Sequence, residues 1–133
     1  MDADPAAAKR TLRARIRQRR LVASPAGDEA QASLDALAEQ LLVRLAPRTV
    51  FCYLSTPGEV STTRIVDTLL VRGCTVAVPF LVDRTTMLAS RITGWDGLAP
   101  GRLGILAPTT PAPVATPIDC VLVPGLAFSL AGA

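Results

Sequence analysis

Along this chain apolar positions recur with two different periods, and the switch between them predicts the elements. Leu12, Ile16 and Leu21 recur at roughly helical spacing, which predicts an N-terminal helix that docks on a core rather than floating as a tail. Ser24-Pro25 reads as an N-cap followed by a proline in the first turn. Leu34, Leu37, Ala38, Leu41, Leu42 and Leu45 then fall on one helical stripe, a strong amphipathic helix ended by Pro47. Residues 49–54 form a short β-branched and aromatic run, read as a buried strand. A turn at 55–59 follows, rich in Ser, Pro and Gly.

Ser61 or Thr62 is placed to cap a further helix, with Ile65, Val66, Leu69 and Leu70 facing inward and Gly73 at its C′ position. Residues 75–81 predict a second apolar strand with Pro79 near its end, and 87–92 a shorter one at an edge or in a hairpin. Residues 93–104 read as a glycine-punctuated loop. Residues 107–117, with Pro108, Pro111, Pro113 and Pro117, read as a surface connection. A last buried strand, 120–123, is broken by Pro124-Gly125. Strand, helix, strand at these crossover lengths implies a βαβ unit and a parallel sheet, so the fold class is α/β. Ligands of such sheets bind beyond the carboxyl ends of the strands. The Pro57-Gly58-Glu59 and Pro124-Gly125-Leu126 turns are therefore the places to examine.

Composition narrows the chemistry. The 133 residues are 50% hydrophobic and 19% charged, which fits one folded domain rather than a disordered chain. The absence of histidine excludes Ser-His-Asp and Cys-His catalysis and zinc sites that need imidazole. Cys52, Cys74 and Cys120 are too few and too far apart for a disulfide framework or a zinc ribbon. They are expected as buried free thiols, in keeping with a reducing, cytoplasmic location. Neither a signal peptide nor an apolar run long enough to span a membrane is evident.

The net charge of +3 is unevenly placed. Residues 1–20 hold seven cations against Asp2 and Asp4, a local excess of +5, and the remainder is slightly acidic. Lys9, Arg13 and Arg17 share one helix face. Such a face can be merely solvated, or can bind a phosphorylated small molecule, nucleic acid or a membrane surface. No aromatic residue interleaves with the arginines, which argues against single-stranded nucleic acid. Glu59 is the best single carboxylate. It is placed either to accept hydrogen bonds from a heterocycle or simply to sit near a helix N-terminus. Met87 and Trp95 read as ordinary apolar residues. The Gly94 and Gly101 clusters do not follow a strand and open a helix, so they are no phosphate fingerprint.

The order of the motifs goes further. Ala8-Lys9-Arg10-Thr11-Leu12-Arg13 heads the basic helix. Tyr53-Leu54-Ser55 comes next, with Glu59 and Thr62. Val76-Ala77-Val78-Pro79 is followed by Met87, then by Gly104-Ile105-Leu106-Ala107-Pro108. The last is Asp119-Cys120-Val121-Leu122-Val123-Pro124-Gly125-Leu126-Ala127-Phe128. Taken in order, these resemble the 5-formyltetrahydrofolate cyclo-ligase family. The resemblance implies a three-layer, mostly parallel, Rossmann-like sheet flanked by helices. It also implies ATP- and magnesium-dependent closure of 5-formyltetrahydrofolate to 5,10-methenyltetrahydrofolate. In that scheme the formyl oxygen takes the γ-phosphate, N10 attacks the activated carbon and phosphate departs.

The resemblance places Lys9, Arg10, Thr11, Leu12 and Arg13 in an ATP-binding segment. Leu54, Glu59, Met87 and Leu103 fall at folate-contacting positions, with Glu59 on the pterin. A monomer with no nucleic-acid or membrane partner is implied. Two departures stand out. Ala107 occupies a position where many relatives carry an acid or amide. The chain also stops at Ala133, short of the family's Gly-rich phosphate loop, so residues 1–133 are expected to form one incomplete and inactive domain. The alternatives are a non-catalytic folate- or nucleotide-binding fragment, or an RNA-associated protein using the Arg-rich helix.

Overall fold

The computed structural model describes residues 4–22, 28–125 and 128–131. Helix α1 (Pro5–Val22) and helix α2 (Asp28–Leu45) lead into strand β1 (Thr49–Cys52), helix α3 (Thr63–Val71) and strands β2 (Thr75–Leu81) and β3 (Met87–Ile92). Strands β4 (Leu98–Pro100), β5 (Leu106–Pro108) and β6 (Cys120–Leu122) follow, with a 3-10 turn at Arg102–Gly104. The main sheet has the order β3-β2-β1-β6. β1 runs parallel to both β2 and β6, while β3 is antiparallel to β2 and forms an edge. This is the mostly parallel α/β sheet that the periodicity predicts.

The β1–α3–β2 unit follows from local chemistry. α3 ends at Gly73, whose φ of +75° is a left-handed conformation that glycine adopts without strain. The Gly73 N–H donates to the Leu70 carbonyl (3.0 Å) and the Cys74 N–H to that of Leu69 (3.0 Å), a Schellman closure. At the other end Thr62 holds the N-cap position, but its hydroxyl does not cap the helix. It is the Ser61 hydroxyl that accepts from the Thr63 N–H, at 3.4 Å. Asp119 anchors the start of β6 beside β1 by accepting from the Arg48 and Thr49 N–H groups, each at 3.1 Å.

One face of the sheet presents Val50, Cys52, Val76, Val78 and Ile92 to Ile65, Val66 and Leu69 of α3 and to Leu42 of α2. The opposite face carries the β4–β5 ribbon, whose β5 packs on β2. Thus the third layer is a two-stranded ribbon, while α2 and α3 pack against each other on the same side. The ribbon lies inside the stretches read from sequence as loop and connection.

Several expectations are corrected. Of the predicted α2 stripe only Leu42 is buried; Leu34, Leu37, Leu41 and Leu45 are exposed, because the nine-residue α3 is half the length of α2 and covers only part of it. Helix α1 is capped by Asp4, which accepts from the Ala6 N–H at 3.0 Å with Pro5 in the first turn. Of its predicted docking edge, Leu12 is 46% exposed and Ile16 half-buried, so the described part of that edge is covered only in part. Two described apolar side chains on this edge remove little surface from water. Leu21 lies among residues whose side chains are not described, and Ser24-Pro25 lies outside the described residues. Cys52 is buried, but Cys74 and Cys120 are only half-buried, and all three are free thiols. β6 is an edge strand with Val121 exposed, not a buried one.

Candidate functional site

The carboxyl ends of β1, β2 and β6 open into a cavity of about 880 Å³, roofed by the β4–β5 ribbon. That size is within the usual range for small-molecule sites. Phe51 of β1 and Tyr53 just beyond it, Pro79 and Leu81 of β2, and Val121 of β6 with Val123 just beyond it supply its apolar floor. β3 is antiparallel to its neighbour, so its first residue, Met87, reaches the same edge.

All four residues placed at folate positions line this one cavity: Leu54, Glu59, Met87 and Leu103. They come from β1's extension, the following turn, the start of β3 and the ribbon tip. Lys9, Arg10, Thr11, Leu12 and Arg13 do not line it. They are exposed on α1, where Arg10 pairs with Asp4 at 3.7 Å and the Thr11 hydroxyl donates to the Ala7 carbonyl at 3.1 Å. Of the two turns singled out beyond the strands, Glu59 and Pro124 both face the cavity, while Leu126 lies outside the described residues.

A hydrogen-bonded staple holds the Glu59 turn. The Ser55 N–H donates to the Thr62 hydroxyl and the Thr62 N–H to the Ser55 hydroxyl, both at 3.2 Å. The Thr62 hydroxyl in turn donates to the Tyr53 carbonyl at 2.9 Å. The Gln31 side chain fixes the far end of the turn, accepting from the Ser61 N–H at 3.0 Å and donating to the Ser61 carbonyl at 3.1 Å. Inside the turn, Glu59 Oε2 accepts from the Thr56 N–H at 2.8 Å. No other partner of this carboxylate occurs among the described residues. Oε1 therefore keeps its acceptor capacity, and a half-buried carboxylate held this way suits a ligand with paired N–H groups.

Burial raises the Tyr53 phenol above its usual range, and the negative charge of Glu59 adds to the effect. The phenol stays neutral and donates to the Val60 carbonyl at 3.1 Å. Behind the cavity floor, burial pushes the Cys52 thiol up to about 12, only partly opposed by the neighbouring Thr62 hydroxyl. This shift has a consequence for stability. The folded thiol keeps its proton up to about pH 12, while the unfolded chain loses it near 9. Its contribution is therefore complete below about pH 9 and is lost as pH rises toward 12. The urea midpoint is expected to hold steady from pH 7 to 8.5 and then to fall. Cys52→Val should flatten that fall, and an unchanged alkaline limb in the variant would count against the assignment.

Sequence reasoning missed Arg102, Tyr53 and Thr56 as lining residues. Arg102 sits in a segment read as loop, with no local pattern to distinguish it. For magnesium, no group of three or more His, Cys, Asp or Glu side chains that could hold a metal ion occurs among the described residues. The residues present thus do not form a protein cage for the ion, and no chemical step is assigned to it. Among the described residues no helix is long and apolar enough to cross a membrane.

The model of the 5-formyltetrahydrofolate cyclo-ligase family matches residues 5–133. The chain belongs to the 5-formyltetrahydrofolate cyclo-ligase family. Its fold is similar to the NMR structure of Aquifex aeolicus 5,10-methenyltetrahydrofolate synthetase, with a TM-score of 0.70 and 25% sequence identity. That match covers 92% of this chain and 63% of the other, so the chain spans less than two-thirds of its solved relative. No curated protein matches the chain.

Proposed function

We propose that the cavity binds 5-formyltetrahydrofolate and that the chain serves the ATP-dependent closure of this substrate to 5,10-methenyltetrahydrofolate. The observation that carries the reading is the convergence of Leu54, Glu59, Met87 and Leu103 on one cavity from four separate segments. Glu59 accepts from the pterin N–H groups, while Met87 and Leu54 pack on the ring, a flat heterocycle that suits a polarizable thioether. The apolar floor excludes water from the formyl group. In the reaction the formyl oxygen attacks the γ-phosphorus of ATP and ADP leaves. N10 then bonds to the activated formyl carbon and gives up its proton to solvent, and the carbon–oxygen bond breaks with departure of phosphate. What this chain supplies is position: the pterin held by Glu59 and the formyl group held over the strand ends.

ATP phosphates are assigned to Lys9 and Arg13, which share an exposed face of α1. Arg102 is the single cation among the described lining residues. A transferring phosphoryl group requires charge neutralisation from several directions, so turnover by residues 1–133 alone is expected to fall below detection. Free thiols support a reducing, cytoplasmic setting. Isothermal titration of the chain with 5-formyltetrahydrofolate tests the reading. Saturable binding supports it, and its absence at millimolar ligand contradicts it.

A further inference from the structure

We propose that Arg102 anchors the anionic glutamate tail of the folate and makes the cavity discriminate substrates that carry glutamate from those that lack it. This rests on the folate reading of the cavity. Two charged side chains, Glu59 and Arg102, occur among its described lining residues. They sit on different elements, Glu59 in the turn after β1 and Arg102 at the tip of the β4–β5 ribbon. Glu59 is half-buried and Arg102 exposed, so the anion lies on the sheltered side and the cation toward solvent. Folates have the matching polarity. Their pterin is neutral and rich in N–H donors, and their far end carries carboxylates that remain in water.

The backbone around Arg102 is held by its own bonds. The Gly101 N–H donates to the Ile105 carbonyl at 2.8 Å, and the Ile105 N–H to the Arg102 carbonyl at 3.3 Å. The tip turns through two successive left-handed residues, Leu103 (φ +60°) and Gly104 (φ +71°). A leucine in that conformation is disfavoured by its Cβ, so the loop is set by more than local preference. At Gly101 a Cβ would lie 3.3 Å from the Ile105 carbonyl oxygen and 3.4 Å from the Ala107 Cβ, so the backbone passes close to β5 there. Among the described residues the Arg102 guanidinium has no hydrogen-bond or ion-pair partner. A guanidinium is always charged and forks onto carboxylates bidentately.

The experiment titrates the full chain and its Arg102→Gln and Arg102→Lys variants with 5-formyltetrahydrofolate, with 5-formyltetrahydropteroate, which lacks the glutamate, and with ATP. The wild type is expected to favour the glutamate-bearing ligand by about 5- to 10-fold, as suits a partly exposed charge pair. Arg102→Gln should erase that preference without weakening the pteroate, and Arg102→Lys should keep part of it. An equal affinity of the wild type for both folates overturns the proposal. So does a preference that survives in Arg102→Gln, or an equal loss for both ligands. A loss confined to ATP would place Arg102 on phosphate and overturn it as well. Binding of neither folate by the wild type would remove the folate reading itself, a failure distinct from one seen only in the variants' ligand ratio.

Discussion

Glu59→Ala should weaken binding of 5-formyltetrahydrofolate by about 10- to 100-fold, the equivalent of roughly 1.5–3 kcal/mol for hydrogen bonds to a charged group. The loss has two sources that a second variant separates. In the proposed complex the carboxylate accepts from the pterin, and its Oε2 already accepts from the Thr56 N–H at 2.8 Å, holding the turn in shape. Glu59→Gln keeps an acceptor for Thr56 but gives up the charge, so it should bind better than Glu59→Ala and worse than the wild type. ATP affinity should be nearly unchanged in both, because Glu59 faces a cavity that the α1 cations do not line. Isothermal titration with each ligand measures both quantities. Equal loss of folate and ATP binding would show that the substitution had disrupted the domain, and would undermine the role given to Glu59.

The converse separation is expected at α1. Lys9→Ala should lower ATP affinity by about 5- to 10-fold and the Lys9→Ala/Arg13→Ala pair by more, with folate affinity intact. Both cations are exposed and one turn apart, so they can converge on one phosphate group. Neither has a partner among the described residues, since the ion pair on this helix belongs to Arg10 and Asp4. Contacts of this kind are screened by salt. The wild-type affinity for ATP should therefore fall as ionic strength rises, and the double variant should show a shallower dependence. An ATP affinity that ignores both substitutions would sink the assignment.

What could be read along the chain depended on how local its cause is. The strands at Thr75–Leu81 and Met87–Ile92 are found with the predicted bounds, since their apolar runs and flanking turns carry the signal within a few residues. Gly73 was legible for the same reason: a helix stop needs one residue able to take a positive φ. The β4–β5 ribbon was not legible. Its strands are three residues each, include Pro100 and Pro108, and exist only because they pair with each other across the Arg102 loop. Periodicity also overstated burial. It identifies the apolar stripes of α1 and α2, but how much of each stripe is covered depends on the neighbours, and Leu37 and Leu12 remain exposed.

The candidate site divides along the same line. Glu59 was legible because a carboxylate in the turn after a buried strand is conspicuous by position alone. Arg102 was not, because only the tertiary pairing of the ribbon carries it to the cavity. The coincidence of Met87 with Glu59 likewise depends on β3 being antiparallel, which brings the start of that strand to the carboxyl ends of its neighbours.

The central claim is that the folate occupies the cavity at the strand ends, and a chemical-shift map tests it most directly. When 5-formyltetrahydrofolate is titrated into the ¹⁵N-labelled chain, the largest amide shifts are predicted at Thr56 and Glu59, at Met87 and along the ribbon tip from Gly101 to Ile105. Residues of α1 should shift little. Shifts concentrated on α1, or scattered without saturation, would contradict the account.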